Sequence, residues 1–107
     1  MNLPGIELDI LKAMCELGIS TTKGKYAIHI IGVLFGWYSN NSKECNHNEI
    51  WKNIQKMAAD KNPLITMTRI KNEWNEEDLE YPMDFECKLT ALGKSFVIDN
   101  NIGDDNE

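Results

Sequence analysis

A chain of 107 residues, 42% apolar and 26% charged, holds enough apolar side chains for one core and too few for two separate ones. With 7 glycines and 3 prolines it is neither collagenous nor of low complexity, and its formal charge of -6 does not prevent it from folding. No run reaches the roughly 18 apolar residues of a membrane span. The longest, Ala27 to Tyr38, is broken by His29, Gly32 and Gly36.

The opening Met1-Asn2-Leu3-Pro4-Gly5 lacks a basic region followed by an apolar stretch, so the cytoplasm is the expected compartment. From Ile6 onward the apolar residues Ile6, Ile10, Leu11, Met14 and Leu17 recur at three and four, which predicts a helix over 6–17 stopped by Gly18. Ser20-Thr21-Thr22 supplies cap hydroxyls for a second helix. This helix, Tyr26 to Trp37, is nearly all apolar and is expected to pack centrally, with Gly32 and Gly36 marking a close backbone approach or simply weakening it. His29 within it reads as a hydrogen-bonded interior histidine.

Beyond the connection Trp37–Cys45, a third helix is capped by Asn46 or Asn48 and spans Glu49–Ala59. Ile50, Ile54, Met57 and Ala58 lie on one face, with Lys52, Asn53, Gln55 and Lys56 on the others. Asn62-Pro63 ends it, because the proline ring disfavours helical geometry in the preceding residue. Leu64 to Trp74 alternates like a strand, Asn75 to Glu80 reads as a turn, and Met83, Phe85, Cys87 and Leu89 alternate with Asp84, Glu86 and Lys88. Together they predict a half-buried hairpin. Residues 90–98 form a short helix capped by Thr90, and an acidic segment, 99–107, is expected to fray.

Charge is unevenly distributed. Residues 43–71 carry six Lys/Arg against three Asp/Glu, whereas residues 72–107 carry two against eleven. Cys15, Cys45 and Cys87 are odd in number and far apart, which suits reduced thiols better than a disulfide frame. Cys45-Asn46-His47 is the one close Cys/His pair and lacks a second ligand pair, so no metal or other cofactor is expected. Neither a phosphate loop, a nucleophile elbow nor a close Cys/His/Asp set occurs, so an enzyme is not expected. Trp37, Trp51, Trp74, Tyr26, Tyr38 and Tyr81 read as core and hinge packing.

Three helices, a β-hairpin wing and a short C-terminal helix form the order of an α+β winged helix-turn-helix domain over residues 1–98. Specific residues also resemble the PadR type of winged-helix regulator. Glu7-Leu8-Asp9-Ile10-Leu11 is similar to its opening helix and Gly24-Lys25-Tyr26-Ala27-Ile28 to its second. Glu49-Ile50-Trp51-Lys52-Asn53-Ile54 is similar to its recognition helix, and Leu89-Thr90-Ala91-Leu92-Gly93 matches its Leu-Thr-x-x-Gly string. The resemblance implies a transcriptional regulator that binds double-stranded DNA, as a homodimer.

On that reading His47, Asn48, Lys52, Asn53 and Lys56 face the groove, while Lys43, Lys61, Arg69 and Lys71 contact phosphates. A plain solvated helix face would show the same polar residues. An alternative rests on Glu76, Glu77, Asp78 and Glu80 at the wing tip, where carboxylates repel phosphates. There the chain is an acidic protein-interaction module or inhibitor that docks on a basic, nucleic-acid-handling protein, and its composition resembles products of phages and mobile elements.

Overall fold

The computed structural model describes residues 3–42, 44, 46–70 and 81–102. In chain order these form α1 (Gly5–Glu16), β1 (Lys25–Tyr26), α2 (Ala27–Asn40), α3 (His47–Ala59), β2 (Ile65–Arg69), a 3₁₀ turn (Pro82–Asp84), β3 (Phe85–Leu89) and α4 (Ala91–Asp99). The architecture is α+β, four helices with a three-stranded antiparallel sheet in the order β1-β3-β2.

Apolar spacing explains the helical layer. Ile10, Leu11 and Met14 of α1, Ile30, Ile31 and Leu34 of α2, and Ile50 and Ile54 of α3 are fully buried in one core. Tyr38 closes its edge, donating a 2.7 Å hydrogen bond from its hydroxyl to Asp9 and so tying α2 to α1. Gly18 ends α1 as expected, at φ 77°. Its N–H bonds the Cys15 carbonyl and the Ile19 N–H bonds that of Met14, the paired closure of a Schellman motif, with Ile19 buried behind it.

The sheet follows from the register. Ile65 pairs with Leu89, Met67 with Cys87 and Arg69 with Phe85. Phe85, Cys87 and Leu89 are buried alternately with half-buried Glu86 and Lys88. Gly24 lets β1 close on this sheet, because a Cβ there would sit 2.8 Å from the Cys87 carbonyl oxygen. Thr90 caps α4, accepting from the Gly93 N–H at 2.9 Å and donating to the Pro63 carbonyl at 2.7 Å. Gly93 is fixed by a close approach, since a Cβ would collide with the Leu64 carbonyl oxygen.

Several sequence expectations are corrected. α2 runs on to Asn40, so the link to α3 is shorter than the segment from Trp37 to Cys45. His29 is exposed on α2 instead of interior, because the core side of that helix is filled by Ile30, Ile31 and Leu34. Nothing approaches Gly32 or Gly36, which lie on the same open face. Ser20 does not cap α2. Its hydroxyl accepts from the Thr22 and Lys23 N–H groups and closes a turn ahead of β1.

Met83 is 59% exposed, because Pro82 opens a 3₁₀ turn and takes it off the strand alternation. Tyr26 and Tyr81 are exposed, not core. Residue 99 still belongs to α4, and the chain holds on past it through a second Schellman closure. Asn101 adopts φ 52°, its N–H bonds the Ile98 carbonyl and the Ile102 N–H bonds that of Val97, which buries Ile102. The predicted turn 75–80, Trp74 and the end of the expected strand lie outside the described residues.

Candidate nucleic-acid interface

Asn46 starts α3, its side-chain oxygen accepting from the Glu49 N–H at 2.8 Å. Glu49 in the first turn and Lys56 in the last complement the helix dipole. With Ile50, Ile54 and Met57 turned into the core, Asn48, Glu49, Trp51, Lys52, Asn53, Gln55, Lys56 and Ala58 fall into three rows of i, i+3 or i, i+4 neighbours that project in different directions.

The outermost row is Asn48, Lys52 and Lys56, all exposed. Neither lysine forms an ion pair among the described residues, and nor does Lys61 just beyond the helix. On one side lies the row Trp51, Gln55 and Ala58, which faces the sheet. Gln55, Ala58 and Ala59 line a groove of about 380 Å³ with Pro63, Thr66 and Met67. At the Trp51 end of the row, beyond the groove, the Trp51 ring lies 5.7 Å from that of Phe85, and the Arg69 guanidinium carbon 6.0 Å from the Phe85 centroid. β2 therefore runs alongside α3, with Lys61 at one end and Arg69 at the other.

The third row, Glu49 and Asn53, faces the opposite way. Both line a cleft of about 310 Å³ with Asp9, Tyr38 and Glu44. Of the residues the sequence assigns to DNA, Asn48, Lys52 and Lys56 therefore share one exposed ridge, flanked by Lys61 and Arg69. Asn53 is not among them. It is half-buried in the acidic cleft, its amide donating to the Glu49 carbonyl at 2.8 Å. His47 is exposed at the head of α3, its ring 4.6 Å from that of Phe35 in an edge-on contact.

Lys43, Lys71 and the acidic set Glu76, Glu77, Asp78 and Glu80 lie outside the described residues. Gln55 and Thr66 border the ridge on the sheet side and were not in the sequence's reading set. Gln55 carries a usable signal, since it stands four residues after Trp51 and its amide can address a base edge.

The described cysteines take no part in this surface. Burial raises the Cys15 thiol, and burial followed by the adjacent Glu86 carboxylate pushes Cys87 up to about 12. Among the described residues no group of three or more His, Cys, Asp or Glu side chains is placed to hold a metal ion, and no helix is long and apolar enough to cross a membrane. The chain matches no protein-family model and no curated protein.

Proposed function

We propose that the protein is a cytoplasmic winged helix-turn-helix transcriptional regulator of the PadR-like type, which inserts α3 into the major groove of double-stranded DNA and binds as a homodimer. One observation carries the reading. The amphipathic α3 turns Asn48, Lys52 and Lys56 outward as a cationic row that no described carboxylate neutralises.

The element order supports it: a helix, a short strand, two helices and a pair of strands, with the first strand joined to the last. At 13 residues α3 is about 20 Å long, enough to lie along a groove about 12 Å wide. Leu89-Thr90-Ala91-Leu92-Gly93 supports the PadR-like assignment, and two half-sites would raise the affinity of a small module.

The test is a mobility shift over a salt series with duplex from the protein's own promoter region. Lys52→Ala combined with Lys56→Ala strips the groove-facing row of both its charges and is expected to abolish binding to that duplex while leaving the fold intact. Affinity unchanged in the double variant, or no duplex bound even at low salt, refutes the reading.

The flank formed by Asp9, Glu44 and Glu49 favours the second reading, an acidic module that binds a basic protein. On that reading no duplex binds, and charge reversal at Glu76, Glu77 and Asp78 releases a protein captured at stoichiometric yield.

A further inference from the structure

Among the described helices α2 alone carries no charge: its 14 residues, Ala27–Asn40, hold no Lys, Arg, Asp or Glu in a chain that is 26% charged. With Ile30, Ile31, Leu34 and Tyr38 turned into the core, the opposite face presents Gly32, Phe35, Gly36 and Ser39, spaced three and four apart and all exposed. Phe35 is 43% exposed, and half-buried Ile28 stands one turn before Gly32 on the same side.

Two features of this face have no use within a single chain. A Cβ at Gly32 or Gly36 would meet nothing within 4 Å, so no neighbour in the fold requires glycine there, although glycine in mid-helix costs backbone entropy. Gly24 and Gly93 differ, since a backbone oxygen crowds each of them. The Phe35 ring is already held edge-on, 4.6 Å from that of His47, so ordering it further costs little, yet much of its apolar surface meets water. A fixed knob therefore stands beside a shallow notch.

Charge decides which partner fits. Two copies that each carry -6 repel one another, and a face without charge lets them meet without setting carboxylates against carboxylates. A basic partner, in turn, finds nothing on α2 to pair with. Knob and notch also lie within one helical turn, which makes the face complementary to itself about a two-fold axis.

We propose that the outer face of α2 is the homodimer interface, with Phe35 of each protomer seated over the partner's Gly32 and Gly36. This inference rests on the homodimer of the functional reading and is independent of the lysine row on α3.

Sedimentation velocity on the full chain over a concentration series tests it, with thermal unfolding measured in parallel. The wild type is expected to form a reversible dimer. Phe35→Ala should raise the dimer dissociation constant about tenfold, as loss of a central aromatic anchor does. Gly36→Glu meets nothing in the monomer but sets a carboxylate against its own copy, and should leave only monomer with its fold intact. Gly32→Ala combined with Gly36→Ala should move the two readouts apart. The dissociation constant rises about fivefold because the Cβ atoms hold the backbones away, while the Tm of the monomer rises by about 4–16 °C because alanine favours the helix.

A wild type that is monomeric at every concentration overturns the homodimer and this interface together, whereas a dimer that survives these changes overturns the interface alone. Capture of a different protein by the wild type and not by Phe35→Ala also overturns it and assigns the face to that protein.

Discussion

Thr90 joins two parts of the molecule through one oxygen. Its hydroxyl accepts from the Gly93 N–H at the head of α4 and donates to the Pro63 carbonyl at the root of β2. Thr90→Val keeps the shape and the extended backbone preference while deleting both bonds. Loss of an N-cap costs about 1 kcal/mol, and depriving the half-buried Pro63 carbonyl of its donor costs about 1 kcal/mol more. The expected total of about 2 kcal/mol corresponds to a fall in Tm of about 8–16 °C for a domain of this size. Urea unfolding followed by tryptophan fluorescence would measure it, with the slope m unchanged because the buried area is unchanged. Thr90→Ser retains the oxygen and should lose less than half as much. If Thr90→Val stays within about 0.5 kcal/mol of the wild type, or serine proves as costly as valine, the hydroxyl bridge does not hold α4 to β2.

Three further outcomes follow from burial. Ile102 is 8% exposed and seated by the Schellman closure at Asn101, so Ile102→Ala should cost about 2 kcal/mol in the same unfolding assay. A frayed C-terminal segment would give no measurable loss. Cys87 should resist a maleimide at neutral pH until the chain unfolds, while half-buried Cys15 reacts slowly in the native state. Because the folded pKa of Cys87 is raised to about 12 from 9.0, the folded state holds the proton that the unfolded state releases. Stability should therefore decline as pH rises above about 9, and Cys87→Ala should remove that part of the decline.

Elements whose signal is local were legible in the sequence. Gly18 after α1, Asn46 ahead of α3 and Thr90 ahead of α4 each satisfy backbone groups within a few residues, and each acts as its residue type suggests. β1 was not legible. Lys25 and Tyr26 have no strand pattern of their own, and only pairing with Cys87 and Glu86, some sixty residues later, makes them a strand. The seating of Ile102 was hidden for a related reason. Asn and Asp around it read as a flexible tail, although Asn tolerates the left-handed conformation that a helix closure needs. In the candidate site, spacing of four placed Asn48, Lys52 and Lys56 together but could not show which flank of the row the other elements would cover. Asn53 was lost to the acidic cleft and Gln55 gained on the sheet side for that reason alone.

The same asymmetry bears on how a duplex would approach. Across its width of about 10 Å, α3 carries Glu49 on one flank beside Asp9 and Glu44, while the strand with Arg69 borders the other. At 0.1 M salt the screening length is also about 10 Å, so the carboxylate flank and the lysine row are felt together by any phosphate that reaches the ridge. A polyanion placed symmetrically over α3 would meet opposing fields. One tilted towards β2 meets Lys52, Lys56 and Lys61 while withdrawing from Asp9, Glu44 and Glu49. Under the DNA-binding reading the acidic flank thus sets orientation rather than preventing association, since repulsion on one side and attraction on the other leave a single favourable docking angle. The overall charge of -6 then tells less about the partner than the spacing of charges around one helix.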